Sequence, residues 1–331
     1  MISDKIKKTL EKQHYRLAGN HSAVQICRWT KNSLKGNGVC WKEKFYGIKS
    51  HQCCQMTPWI GCENKCIHCW RPIEMNLTPN DNLSDDPKEI LDKIIEARKS
   101  LMIGLKGDYR ISKKKFEEAL KPTLFTFSLI GESTLYKRLP ELIKEVRKRK
   151  AISFLVTNGL HPEMIKRLER ENVLPTQITL STNAPNKKLY DFWHNSSRKN
   201  AWKTFNKTLN IIRNLKGKTR RVIRLTLVKK GIKIGKFKNI SNMKKEHVSQ
   251  YAKLIRKSEP DFIHVKGFMS VGWSRNRIGY DKMPWHHEVL EFAKKLEKEL
   301  EKEEYKILEQ AERSCVVLLG KNKKMMKITN Q

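Results

Sequence analysis

Short apolar runs alternate with amphipathic segments along most of this chain. Five runs predict buried strands, at Thr123–Ile130, Ala151–Val156, Gln177–Leu180, Val222–Val228 and Asp261–Lys266. Helical periodicity between and around them predicts helices at Pro87–Leu105, Leu135–Arg149, Trp202–Leu215, His247–Ile255 and His286–Leu300. Because strands that alternate with helices favour βα units and a parallel sheet, we expect an α/β fold built as a partial or full barrel.

Polar residues follow the predicted strands at the points where they end. They are Gly131 and Glu132, Asn158, Ser181 to Asn183, and Lys266 with Gly267. In α/β barrels the carboxyl ends of the strands carry the functional site. Turn and helix-cap chemistry favours the same residue types at any one position. Because such residues recur after several strands, we favour a functional site over ordinary turns and helix caps.

The pattern divides the chain into three segments. Residues 1–56 form a basic extension that carries Cys27, Cys40 and Cys53, residues 57–310 form the barrel, and residues 311–331 form a C-terminal strand and basic tail. Lys230–Lys245 is rich in lysine with few apolar anchors, which predicts an exposed insertion. No run of eighteen apolar residues and no signal-peptide core occurs, so we expect a soluble, cytoplasmic protein with no membrane contact.

The charge balance is strongly basic. Lysine and arginine number 69 against 34 acidic residues, a formal net charge of +35. Such a field attracts polyanions, which favours a nucleic-acid partner. A lysine-rich composition is also typical of thermophiles, but there glutamate usually rises with lysine, and here the acidic residues do not keep pace.

The cysteines are concentrated near the N-terminus. Of eight cysteines, only Cys315 lies beyond residue 69. Without a secretory signal, clustered thiols indicate metal binding rather than disulfides. The segment Cys62-Glu-Asn-Lys-Cys66-Ile-His-Cys69 is a CxxxCxxC triplet, which can bind three irons of a cubane cluster and leave the fourth iron open. A zinc site normally has four ligands, with His68 an awkwardly placed fourth, and purely structural cysteines remain a further alternative.

The residues around this triplet resemble a known family. The blocks HSAVQICRWTKNSLKGNGVCWKEKFYGIKSHQC and TPWIGCENKCIHCWRP, followed by SLIGEST, FLVTNG, STNAP, RLTLVK and PDFIHVKG, are similar to the tRNA 4-demethylwyosine synthases of the radical SAM superfamily. The similarity extends over about residues 20 to 310. It is to the shorter, stand-alone archaeal form, without a flavodoxin-like domain.

The resemblance implies a fold, a reaction and its cofactors. The fold is a radical SAM partial (β/α) TIM-type barrel with an N-terminal cysteine-bearing extension. The reaction converts N1-methylguanosine-37 of tRNA-Phe and pyruvate to 4-demethylwyosine, as a carbon–carbon lyase of the wyosine pathway. The cofactors are S-adenosyl-L-methionine (SAM) and two [4Fe–4S] clusters, and electrons come from an external donor such as a flavodoxin or ferredoxin.

The resemblance also implies the site residues. Cys62, Cys66 and Cys69 match the SAM-cluster ligands, and Cys27, Cys40 and Cys53 match the ligands of the second cluster. Cys54 is a spare thiol and a rival for the position of Cys53. Glu132, with Gly131, matches the superfamily's GGE motif, whose first glycine is Ile130 here. Ser181 and Asn183 are expected to contact SAM, and Asn158 is a weaker candidate.

Lys42 follows Cys40 by two residues and matches the family lysine proposed to capture pyruvate as a Schiff base. Lys44 is its rival. Matching residues with several possible roles are Arg28, Trp29, Lys31, Tyr46 and His51. Trp285 and His286 resemble a late family segment, and for the tryptophan a place in the core is the simpler expectation.

Two other functions are consistent with parts of the sequence. A non-catalytic zinc-dependent RNA-binding protein would explain the cysteines and the charge, but not Gly131-Glu132 or the βα alternation. Another radical SAM reaction on tRNA, such as methylation or thiolation, would keep the cofactors and change the product.

Overall fold

The structure is a computed structural model that describes residues 2, 4–75, 77–79, 84–234 and 237–328. The strands, numbered along the chain, are β1 Tyr15–Ala18, β2 Ser22–Gln25, β3 Cys53–Thr57, β4 Leu124–Phe127, β5 Ile152–Thr157, β6 Gln177–Ser181, β7 Arg220–Leu227, β8 Ile232–Ile234, β9 Phe237–Ile240, β10 Phe262–Gly267, β11 Lys306–Ala311 and β12 Val316–Gly320. The helices are α1 Asp4–Lys12, α2 Arg28–Leu34, α3 Trp41–Tyr46, α4 Pro87–Ile103, α5 Lys113–Leu120, α6 Leu139–Lys148, α7 Pro162–Arg170, α8 Lys187–His194, α9 Ala201–Asn214, α10 Lys245–Ser258, α11 Ser274–Ile278 and α12 His286–Glu299.

Ten strands form one sheet, in the order β1-β2-β3-β4-β5-β6-β7-β10-β12-β11. The stretch from β3 through β7 to β10 is parallel throughout, as βα units require. Antiparallel strands extend it at both edges. The sheet is not closed on itself, which agrees with the predicted partial barrel. It passes through all three segments into which the sequence pattern divides the chain.

All five strands predicted from apolar runs are present, with ends shifted by a few residues. The five predicted helices are present as α4, α6, α9, α10 and α12. The pattern did not reveal the β1–β2 hairpin, the short helices α2 and α3, or strand β3, which lie in the cysteine-bearing extension.

The inner face of the parallel strands has an apolar layer at their N-terminal ends. Phe45 and Tyr46 of α3 pack there against Leu124, Phe154, Val222 and Phe262 in one buried cluster. The α3 helix therefore closes this end of the barrel, and the space above it remains open to the carboxyl ends of the strands.

The Lys230–Lys245 segment is less exposed than predicted. Strands β8 and β9 pair within it as an antiparallel hairpin, and residues 235 and 236 lie outside the described residues. Ile232 is buried in the main core, and the Asn242 side chain accepts from Val228 N at 2.8 Å. Of the tail predicted at the C-terminus, residues 329–331 also lie outside the described residues. No described helix combines the length and apolarity needed to cross a membrane.

Candidate active site

The lumen of the partial barrel contains a cavity of about 1080 Å³. Every second residue of several parallel strands faces it, in keeping with the alternation of side chains along a strand. These residues are Cys53, Gln55, Thr126, Phe154, Val156, Arg224 and Lys266. Cys27, Cys40 and Lys42 border the same cavity, as does Trp70, which directly follows Cys69. One cavity thus connects the N-terminal extension with the CxxxCxxC loop.

The CxxxCxxC loop follows β3, at the carboxyl end of the first parallel strand. Cys62, Cys66 and Cys69 are half-buried and lie close enough to interact electrostatically, since the Cys69 and Cys62 thiols raise the pKa of Cys66. Burial is the main cause of that rise. The Arg71 guanidinium, itself 4% exposed, lowers the pKa values of Cys62 and Cys66 and thereby favours thiolates.

Two residues distant in sequence contact this loop, and neither of them was singled out in the sequence. The Nδ1 of His194, at the end of α8, lies 3.2 Å from the Cys66 sulfur. Arg277 donates to the carbonyl oxygens of Ile67 at 3.0 Å and of Cys69. A guanidinium that bonds several carbonyls of one loop holds its backbone in place, and a ring nitrogen within hydrogen-bond distance of a thiol can tune a metal site built on that thiol.

Gly131 and Glu132 lie directly against this loop. Gly131 has φ +75°, and a Cβ there would lie 2.0 Å from Trp59 O, so the close approach requires glycine. Glu132 is buried, and its backbone N donates to Gly61 O at 2.8 Å. Its carboxylate accepts from Asn158 N at 2.7 Å and from Thr134 Oγ1 at 2.6 Å. Glu132 is thus fixed at the edge of the loop.

The remaining residues predicted to contact SAM border the same region. The Nδ2 of Asn158 lies 3.8 Å from the Cys62 sulfur. Asn183 is buried, and its Nδ2 lies 3.2 Å from His68 Nε2. The Asn183 Oδ1 is buried without a hydrogen-bond partner among the described residues. Ser181 ends β6 and is half-buried.

The second set of cysteines is assembled from three separate segments. Cys27 precedes α2, Cys40 precedes α3, and Cys53 begins β3. Burial raises the pKa of Cys40 to about 12, and the Cys27 and Cys53 thiols lie close enough to add to that rise. Amino acids far apart in the chain therefore converge at the inner end of the cavity.

A network of hydrogen bonds connects these three segments. The Ser50 hydroxyl accepts from Cys40 N at 2.8 Å, and the Ser50 carbonyl accepts from Thr30 Oγ1 at 3.1 Å. The buried Arg98 guanidinium donates to His51 O at 2.7 Å and to Cys53 O at 3.4 Å. Neither Ser50 nor Arg98 was singled out in the sequence, where neither belongs to a recognisable motif.

The structure separates Cys53 from its neighbour Cys54. Successive residues of a strand point to opposite faces. Cys53 borders the cavity, whereas Cys54 is fully buried in the main core with Met56 and Phe125. The position of the second-cluster ligand predicted from the family register is therefore the one that faces the cavity.

Lys42 lies beside this second set of thiols. Its Nζ donates to the Cys53 sulfur at 3.0 Å and to Thr126 Oγ1 at 3.0 Å. Burial lowers the pKa of Lys42, but the Cys53 and Cys40 thiols raise it by more, so the net change is upward. Lys44 is outside the cavity and donates to Gln310 O at 2.7 Å.

The other residues in the matching block have different locations. Arg28, Trp29 and Lys31 line the cavity. Tyr46 and His51 are buried and hydrogen-bonded within the protein. Tyr46 Oη is bonded to His264 Nε2 at 2.5 Å, and His51 Nε2 is bonded to Glu118 Oε2 at 2.9 Å.

The expectation that Trp285 belongs to the core is wrong. Its side chain is 48% exposed and packs edge-on to Tyr280, because Trp285 stands at the start of α12 rather than on the buried face of that helix. The neighbouring His286 has its Nε2 2.9 Å from Gln310 Oε1.

Both sets of thiols have the chemistry of cluster ligands. Within the described ranges, no three His, Cys, Asp or Glu side chains are placed to bind one common metal ion. A four-iron cluster does not require this, since each of its cysteine ligands binds a different iron. The buried Arg71 beside Cys62, Cys66 and Cys69 fits an anionic cluster, and the unpartnered Asn183 Oδ1 fits a bound molecule with N–H or O–H donors.

Comparison with known proteins shows which family this chain is similar to. The chain matches the model of the radical SAM superfamily over residues 56–243 and that for wyosine base formation over residues 257–321. It is 41% identical to the S-adenosyl-L-methionine-dependent tRNA 4-demethylwyosine synthase of Pyrococcus abyssi over 96% of this chain and 89% of that protein. Its identity to the Methanocaldococcus jannaschii protein of the same name is 34%, over 98% of this chain and 99% of that one.

A solved structure of TYW1 with a lysine–pyruvate adduct bound has a TM-score of 0.82 to this chain. It shares 32% identity and covers 100% of this chain and 99% of its own. The fold and the CxxxCxxC loop thus define a radical SAM enzyme, a class that binds SAM and a [4Fe–4S] cluster. Within it, the chain belongs to the family of SAM-dependent tRNA 4-demethylwyosine synthases, enzymes of wyosine biosynthesis.

Proposed function

We propose that this enzyme converts N1-methylguanosine-37 of tRNA-Phe and pyruvate to 4-demethylwyosine, with SAM and two [4Fe–4S] clusters. The observation that carries the proposal is the place of Lys42, whose Nζ lies 3.0 Å from the Cys53 sulfur at the inner end of the barrel cavity. A lysine–pyruvate adduct in a relative of the same fold supports it.

Cys62, Cys66 and Cys69 would bind the first cluster and leave its fourth iron for the amino and carboxylate groups of SAM. Glu132 and Asn183 would bind polar groups of SAM, with Asn158 and Ser181 beside them; the buried, unpartnered Asn183 Oδ1 and the contact of Asn158 with Cys62 support this. Cys27, Cys40 and Cys53 would bind the second cluster. When bound, SAM and the first cluster together would supply the radical chemistry for abstracting a hydrogen atom, which no side-chain base can perform.

Lys42 would hold pyruvate as an imine. Its Nζ attacks the keto carbon, the C=N bond forms, and the keto oxygen leaves as water. The attack requires a neutral amine. Because the neighbouring Cys53 and Cys40 thiols raise the pKa of Lys42, a proton must leave Nζ before the attack, and burial of the amine favours that loss. An anchored imine restricts the pyruvate methyl group to one region of the cavity.

The tRNA would reach the cavity through its basic, aromatic border. Arg28, Lys31, Lys35 and Trp29 line it, and Trp70 is 37% exposed beside the CxxxCxxC loop. Cations that neutralise phosphates and aromatic rings that stack on bases are the usual components of RNA binding. The net charge of +35 supplies a long-range attraction for the same partner.

An external protein such as a flavodoxin or ferredoxin would supply electrons. The relatives' tRNA substrates favour a cytoplasmic location.

Anaerobic incubation of the cluster-loaded enzyme with tRNA containing N1-methylguanosine, pyruvate, SAM and a reductant tests the proposal. Mass analysis of the digested nucleosides should show 4-demethylwyosine, and none when pyruvate is omitted. A methylated or thiolated nucleoside instead would indicate another radical SAM reaction. A colourless protein with stoichiometric zinc and no product would favour a binding protein.

A further inference from the structure

Two cations stand side by side in the wall of the cavity. Arg224 belongs to β7 and Lys266 to the parallel neighbour β10, where the register pairs Arg224 with His264 and Lys266 with Thr226. Both side chains are therefore on the same face of the sheet, as diagonal neighbours, and both line the cavity. Their proximity is also seen in the charge of Arg224, which lowers the pKa of Lys266.

Neither cation has a carboxylate partner among the described residues. Arg224 makes no side-chain hydrogen bond there, its Nε is buried and unpaired, and its guanidinium lies 5.8 Å from the centre of the Trp41 ring. Among the described residues, Lys266 Nζ donates only to the carbonyl oxygens of Gly267 at 3.3 Å and Ser314 at 3.4 Å. By contrast, the buried Arg221 of the same strand pairs with Asp261 at 2.6 Å.

Sequestering two like charges without a counter-charge is unfavourable, and an anion that binds between them removes part of that cost. Two cysteine thiols interact electrostatically with both Lys42 and Lys266, since Cys40 and Cys27 raise the pKa of each lysine. Lys42 and the two cations thus surround the same small region. A ligand there can offer an anionic group to the cations and a carbonyl to Lys42.

We propose that Arg224 and Lys266 are positioning residues that bind the carboxylate of the 2-oxo acid whose keto carbon reacts with Lys42. This inference rests on the proposed function. A guanidinium offers two N–H donors to a carboxylate, and an ammonium adds a compact charge. Held at both ends, a short 2-oxo acid has one orientation, whereas neutral ketones and esters lack the group that the pair binds.

Oxamate is a suitable probe because it has the size and carboxylate of pyruvate but an amide that forms no imine. Its binding to the anaerobic, cluster-loaded enzyme is measured by calorimetry, so the result does not depend on the reactivity of Lys42. The variants are Arg224→Gln and Lys266→Met, and the control is Arg275→Gln. Arg275 also borders the cavity, but it is exposed and bonds Ser270 O.

Loss of one charge-assisted contact should weaken oxamate binding about tenfold or more in each test variant, and less than about twofold in the control. Lys266→Arg should recover most of the affinity. Equal affinity in Arg224→Gln and the unaltered enzyme would overturn the assignment and place the carboxylate elsewhere, as on a cluster iron. Equal weakening by all three variants would also overturn it, since only the overall charge of the cavity would then matter.

Iron content and the visible spectrum are recorded for every variant. If Arg224→Gln and Lys266→Met lose iron, the pair balances cluster charge and the proposal is wrong. Borohydride trapping with pyruvate separates this inference from the proposed function. Absence of an adduct in the unaltered enzyme, with oxamate still bound by the pair, would contradict the role of Lys42 and leave the carboxylate site standing.

Discussion

Cys62, Cys66 and Cys69 lie on one short loop, whereas Cys27, Cys40 and Cys53 come from the starts of two helices and a strand. The loop set is contiguous in the sequence, and Arg277 holds its backbone by donating to the carbonyl oxygens of Ile67 and Cys69. The extension set is spread over three elements, which hydrogen bonds of Ser50 and Arg98 connect. The cysteines of the first set are therefore brought together by one loop, and those of the second by tertiary folding.

This difference predicts how each site fails. Damage at the loop should remove SAM chemistry and leave the barrel intact. Damage in the supports of the extension should remove its metal and also lower the stability of the fold, because the same hydrogen bonds serve both.

The largest expected effect comes from removing either set of ligands. Replacing Cys62, Cys66 and Cys69 with Ala should remove about half of the iron and abolish SAM cleavage, since each [4Fe–4S] cluster contributes equally. Replacing Cys27, Cys40 and Cys53 should remove the other half. Iron analysis and detection of 5′-deoxyadenosine measure both results.

Cys54→Ala is the matched control for the second set, because Cys54 adjoins Cys53 but is buried in the core. It should keep all of the iron. The assignment of the first set fails if its triple variant still makes 5′-deoxyadenosine, and that of the second fails if only Cys54→Ala loses a cluster.

The next largest effect is expected from Arg98→Met, which should impair the second cluster site and spare the first. The buried guanidinium bonds the carbonyls of His51 and Cys53, so its loss leaves buried acceptors unpaired and should destabilise the protein by about 3 kcal/mol. We expect the second cluster to be held more weakly, so that its iron is lost, while SAM cleavage at the first cluster persists. Denaturant unfolding and iron content provide the measurement, and loss of only the first cluster would contradict it.

The same contrast explains what the sequence could predict. The strands from Thr123–Ile130 to Asp261–Lys266 were found because buried parallel strands have apolar runs, and Glu132 and Asn158 because they follow such runs. The CxxxCxxC loop was recognised because its ligands are local. The second set was proposed only from a resemblance, since its spacing does not show that three segments converge.

Other features depend on tertiary contacts that no local pattern encodes. Arg224 and Lys266 are single cations among 69, and only strand register places them together in the cavity. Trp285 was expected in the core on its apolar character, yet the helix that it precedes buries other residues, such as Val289 and Phe292. Cys53 and Cys54 could be distinguished only by the face of β3 that each occupies.

Ser50→Ala should affect the second cluster site in the same way as Arg98→Met, but with a smaller loss of stability. It removes one hydroxyl that accepts from Cys40 N at 2.8 Å, so stability should fall by about 1 kcal/mol. Iron in the second cluster should be lost faster to a chelator than in the unaltered enzyme. Ser249→Ala is the control, because Ser249 lies on α10, far from both cysteine sets in sequence, and bonds only its own helix. Equal iron loss in both variants would contradict the role of Ser50.

The smallest expected difference concerns tRNA binding, which both triple variants should retain. Binding depends on cations that neutralise phosphates, so affinity should fall at least about a hundredfold between ~50 and ~200 mM salt in all of them. Filter binding measures it at several salt concentrations. A flat salt response in the unaltered enzyme would contradict the interpretation of the +35 charge.

The central claim is that the extension builds a site for pyruvate around Lys42, and borohydride trapping tests it most directly. The cluster-loaded enzyme is incubated with pyruvate and borohydride, and its peptides are analysed by mass spectrometry, with Lys42→Arg and Lys44→Arg in parallel. We predict an adduct on the peptide at Lys42, which is lost in Lys42→Arg together with product, while both clusters remain and Lys44→Arg is normal. An adduct confined to Lys44, or normal turnover by Lys42→Arg, would contradict the account.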